Sequence, residues 1–298
     1  MIAFTVGIAL LIHITVRDRV PGAAALFYAT PYPVLLAASI VGAILGWRSR
    51  GQLLTFGILT ALFAMLTVQT AWAPGPASEP PPGRDRIVFW NCAGLPFGVE
   101  AAARRIKEWE ADLIVLTEAA PRKRSVLDRW KQNFPDRTLE PVGSGMLWIS
   151  RSPIRLFETG SLGHRGSYAV GEVNFPDGKL LVMQVDLSSN PLLSRRRAFT
   201  ALQKLQEKYA GRDLVMLGDF NTPLDSWFFD SISRKMHHTF AEAGSGWEPT
   251  WPVPLPVLTL DHIWLSPDLM PRGAVAHATR VSDHRALEVS FERGKPAK

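Results

Sequence analysis

Apolar residues are distributed along this chain in two unlike ways. Up to about residue 73 they form long unbroken runs. Residues 23–47 and 53–73 contain no charged side chain, and each run exceeds the ~18 residues that mark a candidate membrane span. A third run, residues 1–16, is marginal in length. Beyond residue 84 the apolar runs are short and separated by polar turns. Residues 87–90 (IVFW), 113–116 (LIVL), 146–149, 180–185 and 214–217 read as buried strands, and 169–175 alternates as a half-buried strand does. Residues 263–265 and 286–291 close the set, while 99–109 and 193–209 carry helical spacing. Strands mixed with few helices predict a sheet-rich α/β domain, and the later alternation predicts sheet packed on sheet.

The first 73 residues are therefore expected to be a membrane region of three spans, with two as the fallback. Buried helices of a soluble domain and a cleaved signal peptide are the alternatives. Against the signal peptide, residues 1–16 lack a basic start and two further apolar runs follow. Pro31 and Pro33 remove backbone donors inside the second run and should kink it or make it re-entrant. The short loop Trp47-Arg48-Ser49-Arg50 is purely basic and should stay cytoplasmic. That loop places the C-terminal domain outside, in an integral protein of the bacterial inner-membrane type, although Arg17 and Arg19 oppose the assignment. Residues 74–83 are Pro-rich and read as an extended linker ahead of a domain over 84–298.

Composition refines this picture. The chain has 298 residues, 47% hydrophobic and 20% charged, with a single cysteine. Disorder and a disulfide scaffold are both excluded. The mean hydropathy of +0.05 averages the two unlike parts. Of the formal charge of +6, two units belong to residues 1–83, because Arg17, Arg19, Arg48 and Arg50 face only Asp18 and Glu79. The remaining excess on the domain permits a nucleic-acid groove without requiring one.

Candidate chemistry lies at the strand ends. Asn91 ends the first strand, Glu118 follows the second, Asp219 and Asn221 follow residues 214–217, Asp261 abuts Ile263, and Asp283-His284 precede the last strand. Converging there, they would form an oxygen-rich pocket suited to a hard cation such as Mg²⁺. Each residue alone also fits a cap, a turn or a solvated surface.

The order of these segments resembles the endonuclease/exonuclease/phosphatase superfamily. The pieces are Trp90-Asn91, Leu116-Thr117-Glu118, Ile149-Ser150-Arg151-Ser152-Pro153-Ile154, Leu217-Gly218-Asp219-Phe220-Asn221, Leu260-Asp261-His262-Ile263 and Ser282-Asp283-His284-Arg285. Thr250-Trp251-Pro252 is similar to its membrane-anchored bacterial branch. The resemblance implies an α/β fold, a four-layer αββα sandwich of two packed mixed sheets flanked by helices, here preceded by transmembrane helices. It implies Mg²⁺- or Mn²⁺-dependent phosphoester hydrolysis. By the same resemblance Glu118, assisted by Asn91 and Asp283, would hold the metal and Asp219 would accept a proton from water. Asn221 would orient water or phosphate, and His284, set by Asp261, would contact the phosphate. Cys92 reads as a buried strand residue.

One position departs from the pattern. Many nucleases of the superfamily carry a histidine where this chain has Asp186, and a carboxylate repels phosphate unless it is protonated or paired. Asp186 joins the site, or Ser188, Ser189 or Asn190 donates instead, or catalysis is weakened. The expected substrate is nucleic acid or another phosphodiester. A phospholipid or small phosphoester is the enzymatic alternative, and a catalytically silent tethered binding module is the alternative of another class. Arg122-Lys123-Arg124 and Arg195-Arg196-Arg197 could bind phosphate or be solvated faces. Ser226-Trp227-Phe228-Phe229 could stack substrate, dip into the membrane interface or form core. No protein partner is deducible.

Overall fold

The computed structural model describes residues 2–75, 85–119 and 124–294. Four helices open the chain: α1 (Ile2–Thr15), α2 (Pro21–Ala29), α3 (Tyr32–Leu45) and α4 (Arg50–Ala71). Among the described residues, only α4 is long and apolar enough by itself to cross a membrane. α2 and α3 together would make a second span, bent by 65° at their break. Pro31 is the N-cap of α3 and Pro33 lies in its first turn, so the kink falls where the missing donors put it. Val6 and Ala9 of α1, Leu35 of α3 and Phe63 of α4 form a small core of their own.

The strands that follow form two six-stranded mixed sheets and a two-stranded one, β1 with β11. The strands are β1 (Trp72–Pro74), β2 (Asp85–Asn91), β3 (Leu113–Thr117), β4 (Thr138–Pro141), β5 (Leu147–Ser150), β6 (Ile154–Gly163) and β7 (Gly166–Phe175). Then come β8 (Gly178–Asp186), β9 (Leu214–Asp219), β10 (His237–His238), β11 (Ser245–Trp247), β12 (Asp261–Leu265), β13 (Leu269–His277) and β14 (Ala286–Arg293). One sheet runs β13-β14-β2-β3-β5-β4 and the other β10-β12-β9-β8-β7-β6. Their inner faces share a core that includes Phe89, Val115, Trp148, Val182, Leu217 and Val289. Helices α5 (Gly98–Glu108) and α6 (Arg124–Asn133) cover the first sheet. The second is covered by α7 (Arg196–Lys208) and a 3₁₀ turn, Trp227–Ser231. Two packed mixed sheets flanked by helices match the expected sandwich. Beneath the site Gln184 ties the sheets together, donating to Leu116 O and Thr117 Oγ1 at 2.9 Å each and accepting from Trp148 Nε1 at 2.6 Å.

Two expectations at the junction need adjustment. Pro74, assigned to the linker, already pairs with Ser245 as β1 runs antiparallel to β11, and Ala73 packs in the inter-sheet core. Residues 76–84, most of the Pro-rich stretch, lie outside the described residues. So do Arg122 and Lys123.

Candidate active site

Three aspartates form a row across the second sheet. Asp186 pairs in register with Asp219 across the parallel strands β8 and β9, and Asp219 with Asp261 across β9 and β12. Residues in register on neighbouring strands project from the same face. Alternation along β8 puts Asp186 on the face of Val182 and Gln184, which is the inter-sheet face. The opposing sheet brings Asn91 at the end of β2, Glu118 just after β3, and Asp283-His284 just before β14.

Hydrogen bonds join the two halves. Asn91 Nδ2 donates to Asp219 Oδ2 at 3.0 Å and to Glu118 Oε1 at 3.3 Å, while Asn91 Oδ1 accepts from Ala93 N–H. Asp219 Oδ1 accepts from Asn221 N–H at 2.8 Å. Asn221 has a left-handed φ of 46°. Its side-chain amide donates to Leu187 O at 2.8 Å, and its carbonyl accepts from Arg195 Nη2 at 2.9 Å. Gly218 is required beside them, because a Cβ there would collide with the Val185 carbonyl. His284 Nδ1 meets Asp261 Oδ2 at 2.8 Å. Thr250 Oγ1 accepts from the amides of Leu260 and Asp261, which fixes the loop that delivers Asp261. Asp283, at the exposed lip, accepts from Trp251 Nε1 at 3.0 Å.

The charges are crowded. Burial pushes Asp186 up to about 8, aided by the carboxylates of Asp219, Glu118 and Asp261. Burial and Asp261 also hold Asp219 well above the usual carboxylate range, against the opposing pull of His284, the Asn221 amide and Asn91. Burial alone would lower His284, but Asp261, with Asp219 and Asp283, raises it to about 10. That shift favours a protonated ring whose Nδ1 donates to Asp261. Cys92 is buried and its thiol is pushed well up by burial, then by Glu118, as befits a strand residue without chemistry.

These groups face a cleft of about 580 Å³ lined by Asn91, Glu118, Asp219, Asn221, Asp283 and His284, among others. Its described lining contains several carboxylates and no Lys or Arg. Asp261 Oδ1, on the strand beside Asp219, is buried without a hydrogen-bond partner among the described residues. Such an oxygen-rich, anion-heavy site fits a divalent cation. Atoms of Asp219, Asp261 and His284 lie within 4.8 Å of one another, but a cationic His284 bound to Asp261 is a poor ligand. Glu118, exposed and, among the described residues, held by Asn91 alone, is the freer oxygen donor.

Every expected site residue is in this cluster or at its rim, and Ser189 also lines the cleft. Several contributors were not anticipated. Gln184 left only a polar break in an apolar strand, and Arg195 was read as part of a basic run, whereas it is buried beneath Asn221. The least expected is α2, which lends Ala25, Tyr28 and Ala29 to the cleft wall. Asp18, just before α2, is buried and accepts from Tyr28 Oη at 3.0 Å, Ser226 Oγ at 2.5 Å and Trp227 N–H at 3.0 Å. Phe228 and Phe229 are core, so the segment 226–229 receives the N-terminal region.

The chain matches, over residues 88–284, the family model described as "Endonuclease/Exonuclease/phosphatase family". Among solved structures, truncated TDP2 of Caenorhabditis elegans is similar with a TM-score of 0.55 at 15% identity, covering 72% of this chain and 99% of that one. The mannosyl-6-phosphatase of Bacteroides thetaiotaomicron gives 0.54 at 15% identity, covering 70% and 99%. TDP2 of D. rerio, complexed with single strand DNA product, gives 0.53 at 16% identity, covering 70% and 99%. At such identities the likeness establishes the fold. No curated protein sequence is significantly similar.

Proposed function

The chain belongs to the endonuclease/exonuclease/phosphatase family and is a metal-dependent phosphoester hydrolase, and we propose that its site hydrolyses a phosphodiester by attack of a water that Asp219 deprotonates. The observation that carries this reading is Asp219, the centre of the row Asp186–Asp219–Asp261, sharing one cleft with Asn91, Glu118 and His284. Glu118 and Asn91, with Asp283 at the lip, would hold the divalent cation, taken as Mg²⁺ with Mn²⁺ as a substitute. Such a cation, when bound, neutralises phosphate charge and polarises its oxygens.

The chain's own groups account for the proton movements. Asp219, whose carboxylate is held in place by Asn91 and the Asn221 amide, takes a proton from water as the water oxygen bonds to phosphorus. The ester P–O bond breaks with its electron pair on the leaving oxygen, which collects a proton from solvent. His284, kept cationic by Asp261, donates to a phosphate oxygen as charge develops there. In the metal-free site burial and the neighbouring carboxylates raise Asp186 to about 8, which favours its neutral form. It can then donate where a carboxylate would repel. That is how an aspartate can stand in for the usual histidine.

We further propose that the N-terminal helices anchor the chain in a bilayer with the domain outside. α4 has 22 residues, about 33 Å at 1.5 Å per residue, against a hydrocarbon layer of about 30 Å. The exposed Trp47 and Trp72 bracket it, as interfacial aromatics do. Arg48 and Arg50 lie at the end away from the domain. Arg17 and Arg19, which had opposed this orientation, are engaged by the domain. Arg17 forks onto both Asp230 oxygens at 3.1 and 3.0 Å, and Arg19 lies 5.0 Å from the centre of the Trp227 ring.

Support for a nucleic-acid substrate is thinner than the sequence suggested, since Arg195 is committed to Asn221 and Arg196 to the Trp227 face. The test is turnover of bis(p-nitrophenyl) phosphate by the purified full chain in detergent with Mg²⁺, Mn²⁺ or EDTA. Metal-dependent release abolished by Asp219→Ala is expected, and no release with either metal would overturn the reading.

A further inference from the structure

The cleft is walled by two regions of opposite character. On one side stand the carboxylates, Asn91 and His284. On the other stands α2, a nine-residue helix of sequence PGAAALFYA from the apolar N-terminal region, contributing Ala25, Tyr28 and Ala29. Its seating is built in. The buried Asp18 holds both the Tyr28 hydroxyl and the Ser226-Trp227 backbone turn, and His13 Nε2 lies 2.8 Å from Thr30 O at the far end of α2. The guanidinium of Arg195, which supports the Asn221 carbonyl, lies 5.9 Å from the centre of the Tyr28 ring. One residue of the hydrophobic segment therefore shares its supports with a residue of the catalytic loop.

The loops that line the cleft also carry exposed apolar side chains. Phe97 is 64% exposed, Leu192 60% and Leu255 78%. Each sits in a loop that also lines the cleft, through Ala93, Pro191 and Trp251 respectively. A loop rimming a phosphate site meets a polyanion in water better with Lys or Arg in these places. Exposed apolar side chains beside apolar helices instead continue a surface that leaves water. Leu258 extends this strip, because it also lines a neighbouring cleft with Tyr32, Pro33 and Trp72 at the ends of α3 and α4.

We infer that the substrate is a phosphoester borne by a membrane amphiphile, whose headgroup enters the carboxylate cleft while its apolar chain stays against α2 and the exposed Phe97, Leu192 and Leu255 of the loops that line the cleft. This rests on the hydrolase and membrane readings above and names the substrate class of the same site. α2, bent away from α3 at the bilayer surface, is the element that brings lipid and metal site together.

The experiment compares two probes with the same scissile bond and chromophore. The full chain, reconstituted in phosphatidylcholine vesicles with Mg²⁺, is given hexadecyl p-nitrophenyl phosphate in the bilayer or ethyl p-nitrophenyl phosphate in solution. Expected is a preference for the hexadecyl ester of about 100-fold in kcat/KM, the yield of burying a few kcal/mol of alkyl chain. The double variant Leu192→Glu/Leu255→Glu should cut that ratio by at least about tenfold, and a fall of equal size on both probes would show a merely structural effect and overturn the inference. Equal kcat/KM for the two esters in the unmutated chain would also overturn it, as would a single-stranded DNA oligonucleotide cleaved faster than the hexadecyl ester. If neither ester is hydrolysed, the hydrolase reading falls first, which separates that failure from a failure of the lipid assignment alone.

Discussion

Asp186 and Asp219 are register partners on adjacent parallel strands, β8 and β9, and nothing but the breadth of one strand spacing separates their backbones. Two carboxylates so placed, Asp219 buried and Asp186 half-buried, cannot both ionise at little cost without a cation. The site in its metal-free form therefore stores repulsion that a cation relieves.

The first prediction follows from the sign of that effect. A carboxylate raised in the folded state binds more protons there than in the unfolded chain, so stability is lost as pH rises from the ordinary 3.8 towards about 8 for Asp186. Thermal unfolding of the metal-free chain should move to lower temperature across that window, and Mg²⁺ should restore it. Asp186→Asn should raise the metal-free Tm by about 3–6 °C at the alkaline end, the equivalent of ~1–2 kcal/mol. A Tm that climbs with pH in EDTA would contradict the account.

A second prediction concerns donation by Asp186. If the neutral acid contacts phosphate, Asp186→Asn keeps a donor and should retain activity within about tenfold, whereas Asp186→Ala should lose about 100-fold. Asp186→His should remain active, since it restores a donor. Equal loss in the Asn and Ala variants, read as kcat on the soluble diester, would remove the donor role.

A third prediction is the pH profile. Asp219 must be ionised to act and His284 protonated, so kcat/KM should rise on an acid limb and fall on an alkaline limb near about 10. The alkaline limb should move down in Asp261→Asn, because the carboxylate that raises His284 is gone. An alkaline limb unmoved by that change would assign it to another group.

A fourth prediction tests the seating of the N-terminal segment. Asp18→Ala removes the acceptor for Tyr28, Ser226 and Trp227 N–H, leaving buried donors unsatisfied at about 1–3 kcal/mol. We expect a lower Tm and faster proteolysis between α1 and α2. If the Tm is unchanged, the docking described between these two regions is not the one in solution.

Much of the domain was legible in its sequence. The buried strands ending in Asn91, Glu118 and Asp219 announced themselves as short apolar runs capped by polar residues, and the helices at 98–108 and 196–208 by their spacing. Strand β6 was missed because it is an edge strand with both faces partly wet, and its Arg155 and Glu158 blur the alternation. Strand β13 was hidden by Pro271 and Gly273, between which its register shifts. Of the site, every carboxylate was anticipated, because acids at strand ends stand out against apolar sequence. Tyr28 and Asp18 were not, since nothing local distinguishes a tyrosine in an apolar run from lipid-facing filler. Their role depends on contacts more than a hundred residues away. Arg195 shows the same limit, for a run of three arginines looks solvated until one of them is seen to be buried.

The short strand β1 has a mechanical meaning. α4 ends at Ala71 and the chain is paired with β11 from Trp72 onward, so helix and domain are joined with no free chain between them. The Pro-rich stretch begins only afterwards and runs between two points, Gly75 and Asp85, that both already belong to the folded domain. On the proposed membrane reading, inserting residues between Ala71 and Trp72 would lift the whole domain away from the bilayer, because helix and strand adjoin there without slack. α4 is thus joined to the domain as a rigid extension of β1 and not through a flexible tether.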